Sequence, residues 1–261
     1  MRLFMQLVLL LAASAGVEAH AASACHAASG TLTRPLVELY TSEGCDSCPP
    51  AERWLSSRFG AAGTGAQAIA LAFHVDYWDR LGWVDRFGHA DYTARQYAMM
   101  HANGGTFVYT PQLLLQGHDF AGWRDADTTP IEAAARTNAT ATIALTVVPG
   151  ERELVVHADA RIIGATGARD ADLFVAYVDS GLVSQIGAGE NRGLRLTHDH
   201  VVRSLRLAGR ASGAGRVDAT LTLARPTERG AQPMLVAFVE RASTGDVLQA
   251  LALPLDACAS R

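Results

Sequence analysis

The hydrophobic pattern of the first half alternates between short apolar runs and amphipathic stretches. Residues 36–40 and 68–75 are largely apolar runs of strand length, which is typical of strands buried on both faces. Residues 112–115 form a third run directly after a proline. Between these runs, residues 48–58 and 91–101 have the pattern of helices. The order of elements predicts an α/β domain.

The pattern of predicted elements changes near Asn138, from mixed strands and helices to strands alone. Strand-like runs with turn residues between them then recur at near-regular spacing: 141–148, 153–158, 172–178, 216–223 and 233–239. Short strands at such spacing are typical of a β-sandwich. We therefore predict an α/β domain over residues 25–137, followed by an all-β, sandwich-like domain over residues 138–261.

The N-terminal segment has the pattern of a signal peptide. Arg2 supplies the positive charge, and residues 3–17 supply an apolar stretch that is too short for a stable membrane span. We predict removal of residues 1–24 and a periplasmic or secreted protein with no membrane span. Cleavage before Cys25 with lipid attachment is the alternative at this end.

Composition narrows the classes of function. The chain has 261 residues, 49 % of them hydrophobic, and a formal net charge of −4, so nothing indicates a nucleic-acid partner. Every basic residue other than histidine is arginine, which excludes Schiff-base and P-loop chemistry that needs lysine. No cofactor is implied by any motif.

Two cysteines stand at the start of the first predicted helix. Cys45 and Cys48 are followed by Pro49 and Pro50, which suit a first helical turn. A helix N-terminus stabilises a thiolate, so this Cys-x-x-Cys unit suits dithiol redox chemistry, with Cys45 as the exposed attacking residue and Cys48 as the resolving one. Asp46 opposes thiolate formation by its charge.

Other uses of the same cysteines stay open at this point. The pair could form a structural disulfide or half of a zinc site, although no second Cys or His pair at similar spacing follows. Together with His74, the two thiolates could also bind Cu(I), which would make the protein a metal-binding or delivery module. A non-catalytic binding protein with a permanent disulfide is the third class.

Ionisable residues concentrate in two further segments. The second apolar run ends in a string from His74 to Trp83, and His74 or Asp76 could carry protons for the dithiol. In the second half, His198-Asp199-His200 would place both histidines on one face of a strand and permit a metal site. A solvated, arginine-rich strand is the alternative, and packing of this segment against the dithiol domain is a third.

The remaining cysteines lie near the two ends of the mature chain. Cys25 and Cys258 predict a disulfide between the termini, because chain ends often lie close together and the compartment is oxidising. Loop-entropy arithmetic gives such a bond a stabilising effect of about 4–5 kcal/mol.

Four motifs together resemble a known family. The stretches from Glu38 to Pro50, Phe73 to Trp83, Thr93 to Gln96 and Val108 to Gln112 are similar to exported bacterial proteins of unknown function with a thioredoxin-like domain. The resemblance implies a thioredoxin-like fold for the first domain.

The resemblance also gives Pro111 a role. In a thioredoxin-like fold, the Thr110–Pro111 bond is cis and Pro111 shapes the substrate groove facing the dithiol. We therefore expect a thiol–disulfide oxidoreductase whose partners are protein thiols or disulfides.

Overall fold

The structure, a computed structural model, describes residues 24–60, 68–164 and 170–258. All of the predicted signal peptide except Ala24 lies outside these residues. The α-helices are α1 (Cys48–Phe59), α2 (Ala90–Ala102) and α3 (Thr129–Ala135). The strands are β1 (Cys25–Ala28), β2 (Leu36–Thr41), β3 (Ile69–His74), β4 (Gln112–Leu115), β5 (His118–Asp119), β6 (Ala141–Pro149), β7 (Glu153–Ile162), β8 (Asp172–Asp179), β9 (Leu182–Gln185), β10 (Arg195–His198), β11 (Val201–Arg210), β12 (Arg216–Ala224), β13 (Met234–Glu240) and β14 (Val247–Pro254).

The strands form three sheets. The largest has eight strands in the order β14-β13-β8-β11-β3-β2-β4-β5, and a four-stranded sheet has the order β1-β6-β7-β12. Strands β9 and β10 form a separate antiparallel pair. In the large sheet, β2 and β3 are parallel, β11 runs parallel to β3 at Val201 and Ala72, and the other pairs are antiparallel.

The predicted fold class is wrong. The protein is mostly β, with 42 % of residues in strands and 19 % in helices, and it is not an α/β thioredoxin-like fold followed by a separate sandwich. Strands β2 to β5 do not form a sheet of their own, because β11 from the second half extends it beside β3. Strand bonding therefore continues across the predicted boundary at residue 138.

The burial pattern explains why the second half joins the large sheet. Strand β13 is buried at every position and β8 at all but one, whereas a strand with one solvated face alternates. One face of β8 and β13 packs on the four-stranded sheet through residues such as Val175, Tyr177 and Ala237. The other face continues the apolar layer of β2 and β3, which α2 covers through Tyr92 and Met99.

Helices α1 and α3 cover the opposite face of β2 and β3. Leu55 and Phe59 of α1 and Ile131 of α3 pack on Val37 and Leu39. The large sheet is thus covered on both faces, with α2 on one side and α1, α3 and the four-stranded sheet on the other. This arrangement sets the start of α1 above the carboxyl ends of β2 and β3.

A buried ion triad crosses the large sheet. The guanidinium of Arg95 on α2 donates to both carboxylate oxygens of Glu38 on β2, at 2.9 and 3.0 Å, and to Glu240 on β13 at 2.6 Å. Burial alone would lower the pKa of Arg95, but the charge of Glu38 and its neighbours raises it well above its usual value. Three aromatic rings lie within cation–π distance of the guanidinium: Phe73, Phe174 and Phe238.

The two ends of the described chain are joined as predicted. Cys25 and Cys258 form a disulfide, and β1 pairs with β6 from Cys25 opposite Val147. None of the described helices is both long and apolar enough to span a bilayer.

We expect Arg95→Met to lower the free energy of unfolding by about 3–5 kcal/mol, because it leaves two buried carboxylates without their cation. Urea unfolding measures the loss. The control is Arg136→Met, which removes an exposed pair with Glu132 at 3.3 Å and should cost about 0.5 kcal/mol or less. Equal losses in the two variants would contradict a structural role for the triad.

Candidate functional site

The site begins at the turn between β2 and α1. Pro49 and Pro50 occupy the first turn of α1, where backbone N–H groups need no helical partner, and the helix begins at Cys48 as predicted. Gly60 ends it with a φ of 62°, a backbone conformation that glycine adopts without strain. The first turn brings Cys45 and Cys48 together, and they form a disulfide.

The disulfide is buried, and the second half of the chain contacts the turn that carries it. Both cysteines are 0 % exposed, so the expectation of an exposed Cys45 is wrong. The hairpin of β9 and β10 meets this turn through its connecting loop, which contains Asn191. The side-chain amide of Asn191 donates to the carbonyl oxygens of Glu43 and Cys45, each at 2.9 Å. Reagents can therefore reach the sulfurs only when the structure around the turn opens, and the Asn191 contacts oppose that opening.

A cluster of buried ionisable groups surrounds the same turn. It consists of three carboxylates and two imidazoles, which we call the carboxylate–imidazole cluster: Glu43, Glu52, His74, Asp85 and His198. The two imidazole rings meet edge to face, with their centroids 5.1 Å apart. Buried charges persist only where partners offset the cost of desolvation, so each contact in the cluster matters.

His198 links the hairpin to α1. Its Nδ1 lies 2.7 Å from Glu52 Oε2 and, because a carboxylate only accepts, Nδ1 donates. Its Nε2 lies 3.2 Å from Glu43 Oε1, without hydrogen-bond geometry. Burial alone would lower the pKa of His198, but the charges and contacts of Glu52 and Glu43 outweigh it and raise this pKa to about 10. An imidazolium here balances the two glutamates.

Glu52 is held on both oxygens. It accepts from Thr41 at 2.6 Å through Oε1 and from His198 through Oε2. Burial alone would raise the pKa of Glu52, yet the charge and hydrogen bond of His198 hold it below its usual value. Glu52 stands one helical turn after Cys48, on the buried side of α1.

Asp85 organises the other half of the cluster. Its Oδ2 accepts from His74 Nδ1 at 2.7 Å and from the backbone N–H of Glu43 at 2.8 Å, and its Oδ1 accepts from the N–H of Phe87 at 2.9 Å. Burial alone would raise the pKa of Asp85, but the charge of His74 and these hydrogen bonds hold it below its usual value. Glu43 Oε2 accepts from Trp83 Nε1 at 2.7 Å.

The cluster has the composition of a metal centre. One ligand atom each from Glu52, His74 and His198 lie within 4.8 Å of one another. The alternative metal set considered from the sequence was Cys45, Cys48 and His74. The two sulfurs are bonded to each other, so neither is a thiolate ligand in this state.

Of the predicted site residues other than the two cysteines, Asp76 and Pro111 lie outside the cluster. Asp76 accepts from Thr93 Oγ1 at 2.6 Å and serves to join the end of β3 to α2. The Thr110–Pro111 peptide bond is cis, as expected. Trp78 connects this bond to the dithiol turn. Its Nε1 donates to Thr110 Oγ1 at 2.8 Å, and its Cβ lies 3.2 Å from where a Cβ on Gly44 would be.

The histidines of the 198–200 segment do not share a face of one strand. Strand β10 ends at His198, and His200 has a φ of 61°, which turns the chain before β11. His200 is buried against Phe59, and burial lowers its pKa to about 4. Asp199 accepts from the N–H of Gly181 at 2.9 Å. Of the three alternatives, packing of this segment against the dithiol turn is confirmed by the contacts of His198.

Four residues of the site were missed from the sequence. Glu43, Glu52, Asp85 and Asn191 are neither cysteines nor histidines, and their partners are distant along the chain. Glu52 did carry a signal, because it follows Cys48 by four positions and so shares its helix face. Glu43, Asp85 and Asn191 carried no signal that could be recognised in a single sequence.

Comparisons with known proteins concern both family and fold. The family described as "Protein of unknown function (DUF1223)" matches residues 36–240. Protein AGR_C_4864 from Agrobacterium tumefaciens is similar with 25 % identity and a TM-score of 0.54, over 86 % of this chain and 96 % of that one. HBP35 of Porphyromonas gingivalis is similar in fold, with 16 % identity and a TM-score of 0.61, over 87 % of this chain and 76 % of that one. No curated protein matches the chain.

We expect Asn191→Ala to speed reduction of the Cys45–Cys48 disulfide by dithiothreitol about thirtyfold. The variant loses two hydrogen bonds that hold the hairpin closed, worth about 1 kcal/mol each, and opening becomes easier by their sum. Thiol trapping with mass spectrometry follows the rate. The control is Gln185→Ala, which loses contacts only to Gly193 and Leu194 of the same hairpin. Equal rates in both variants would show that the Asn191 contacts do not limit access.

Proposed function

The chain belongs to the DUF1223 family of proteins of unknown function, and we propose from its own site that it carries out thiol–disulfide exchange. Cys45 and Cys48 are the exchanging pair, and protein thiols or disulfides are the substrates. The observation that carries the proposal is the disulfide between Cys45 and Cys48 at the first turn of α1.

The position of the sulfurs supports this role. Free N–H groups and the positive end of the helix dipole lie at the start of α1, and both stabilise the thiolate that forms when the disulfide opens. The hydroxyl of Ser47 lies 3.3 Å from Cys45 Sγ and is able to donate a hydrogen bond to that thiolate. Cys45 therefore suits the attacking role and Cys48 the resolving role.

The exchange follows two balanced steps. The Cys45 thiolate attacks one sulfur of a substrate disulfide, which forms a mixed disulfide and releases one substrate thiolate. The Cys48 thiolate then attacks Cys45 Sγ, restores the Cys45–Cys48 bond and releases the second substrate thiolate. Two electrons pass to the substrate, and the reverse sequence oxidises a substrate dithiol.

The hairpin of β9 and β10 adds a gate to this scheme. Because Asn191 holds the carbonyl of Cys45 and both sulfurs are buried, a substrate must first displace the hairpin. We place the reaction in the periplasm or outside the cell. Two disulfides in one chain are consistent with an oxidising compartment, and the predicted signal peptide agrees with it.

Burial also favours a second candidate function. A disulfide that no reagent reaches would act as a permanent brace between the β2–α1 turn and the start of α1, and the protein would be a non-catalytic binding protein. The complete burial of Cys45 and Cys48 is the observation in favour of this alternative.

Single cysteine variants separate the two functions. We expect Cys45→Ser to abolish exchange with oxidised glutathione and with insulin, because it removes the attacking thiolate. Cys48→Ser should accumulate mixed disulfides at Cys45, which mass spectrometry detects. The control is the double variant Cys25→Ser with Cys258→Ser, which removes the other disulfide and should keep the activity. No exchange by the reduced wild-type protein would instead support the structural disulfide.

A further inference from the structure

We propose that His74, His198 and Glu43 bind a divalent first-row transition-metal ion beside the dithiol turn. The first observation is how the two imidazoles are held. Each donates from Nδ1 to a buried carboxylate at 2.7 Å, His74 to Asp85 and His198 to Glu52. Histidines that bind metals are oriented in this way, with a carboxylate on one ring nitrogen and the ion on the other.

The second observation is that two ring nitrogens and one glutamate oxygen on the opposite side make no hydrogen bond. His74 Nε2, His198 Nε2 and Glu43 Oε1 are buried without a hydrogen bond, on side chains that are 1 %, 1 % and 0 % exposed. Buried polar atoms in proteins are nearly always satisfied, but here His198 Nε2 and Glu43 Oε1 have only their ion pair at 3.2 Å, and His74 Nε2 has no hydrogen bond. A cation is the partner that accepts lone pairs from all of them.

The carboxylates divide between two roles. Both oxygens of Glu52 are engaged, one by Thr41 and one by His198, and Asp85 is likewise engaged on both oxygens. Glu43 accepts a hydrogen bond only at Oε2, from Trp83, and its Oε1 makes no hydrogen bond. Glu43 therefore supplies the carboxylate ligand, while Glu52 and Asp85 orient the imidazoles.

Distances within the cluster suit one ion. His198 Nε2 and Glu43 Oε1 lie 3.2 Å apart without hydrogen-bond geometry. Two ligands about 2.0 Å from a tetrahedral ion lie roughly 3.3 Å apart, so this pair has the spacing of one edge of the coordination shell. His74 lies beside His198: the ring centroids are 5.1 Å apart, and one ligand atom each from His74, His198 and Glu52 lie within 4.8 Å of one another.

The donor set defines the class of ion. Two imidazole nitrogens and one carboxylate oxygen suit Zn²⁺, Fe²⁺ or Co²⁺, whereas Ca²⁺ and Mg²⁺ prefer all-oxygen sites. Metal-bound imidazoles are neutral, so a divalent cation would offset most of the charge of the three buried carboxylates. Because the thiolates are not needed, the site is complete while the disulfide is intact.

The test uses the oxidised full-length protein, freed of metal by chelation and titrated with Co²⁺. We expect one ion per chain, visible absorption typical of low-coordinate Co²⁺, its displacement by Zn²⁺, and a higher melting temperature with metal. His74→Gln and Glu43→Gln should each weaken binding by about a hundredfold, and Asp85→Asn by roughly tenfold or more. The control is His157→Gln, an exposed histidine on β7, which should bind like the wild type.

Separate measurements make the outcome decisive. The double variant Cys45→Ser with Cys48→Ser should keep the binding, and its loss there would assign the metal to the cysteines and overturn the proposal. Binding by the wild type that is no tighter than by His74→Gln would overturn it too. Thermal unfolding of each metal-free variant identifies any that fails to fold. Exchange activity is assayed in metal-free protein, so the proposed function and the metal site are tested independently of each other.

Discussion

The guanidinium of Arg95 is the contact on which the large sheet depends. It lies on α2 and binds Glu38 from the first half of the chain and Glu240 from the second. An ion in a protein interior is tolerated only with its partners in place. Separating α2 from β2 or β13 would therefore cost free energy, because it would leave a buried charge without its partner. The triad thus joins both halves of the chain within one continuous sheet.

The site obeys the same constraint at the end of β2 and β3. The Cys-x-x-Cys turn and α1 come from the first half, while the cation that balances Glu52 and the amide that holds the Cys45 carbonyl come from the hairpin of the second half. The chemistry of the dithiol is therefore a property of both halves. Any change that moves the hairpin also takes His198 away from the Glu52 carboxylate. Access of reagents to the disulfide is therefore coupled to the charge balance of Glu52.

Local features of the fold were predictable because they depend on neighbouring residues. Two consecutive prolines marked the start of α1. The cis bond before Pro111 was expected from its place after a strand–CxxC–helix unit, through the resemblance to a thioredoxin-like fold. The disulfide between Cys25 and Cys258 followed from their terminal positions.

Long-range pairing was not predictable from the same patterns. An apolar run such as β3 reveals that a strand is buried on both faces, but it does not reveal which strand lies beside it. Besides β2, the partner is β11, more than a hundred residues later, and this pairing is one reason why the predicted fold class is wrong. For the same reason, Glu52 and His198, which are 146 positions apart, could not be matched.

The bond between Cys25 and Cys258, which are 233 positions apart, closes the chain between them into a covalent ring. A protease that cuts one surface loop within this ring produces a nicked molecule whose two pieces remain tied, and they separate only after reduction. The ring also closes only after Cys258 has been synthesised, so both halves of the large sheet are present before the bond forms.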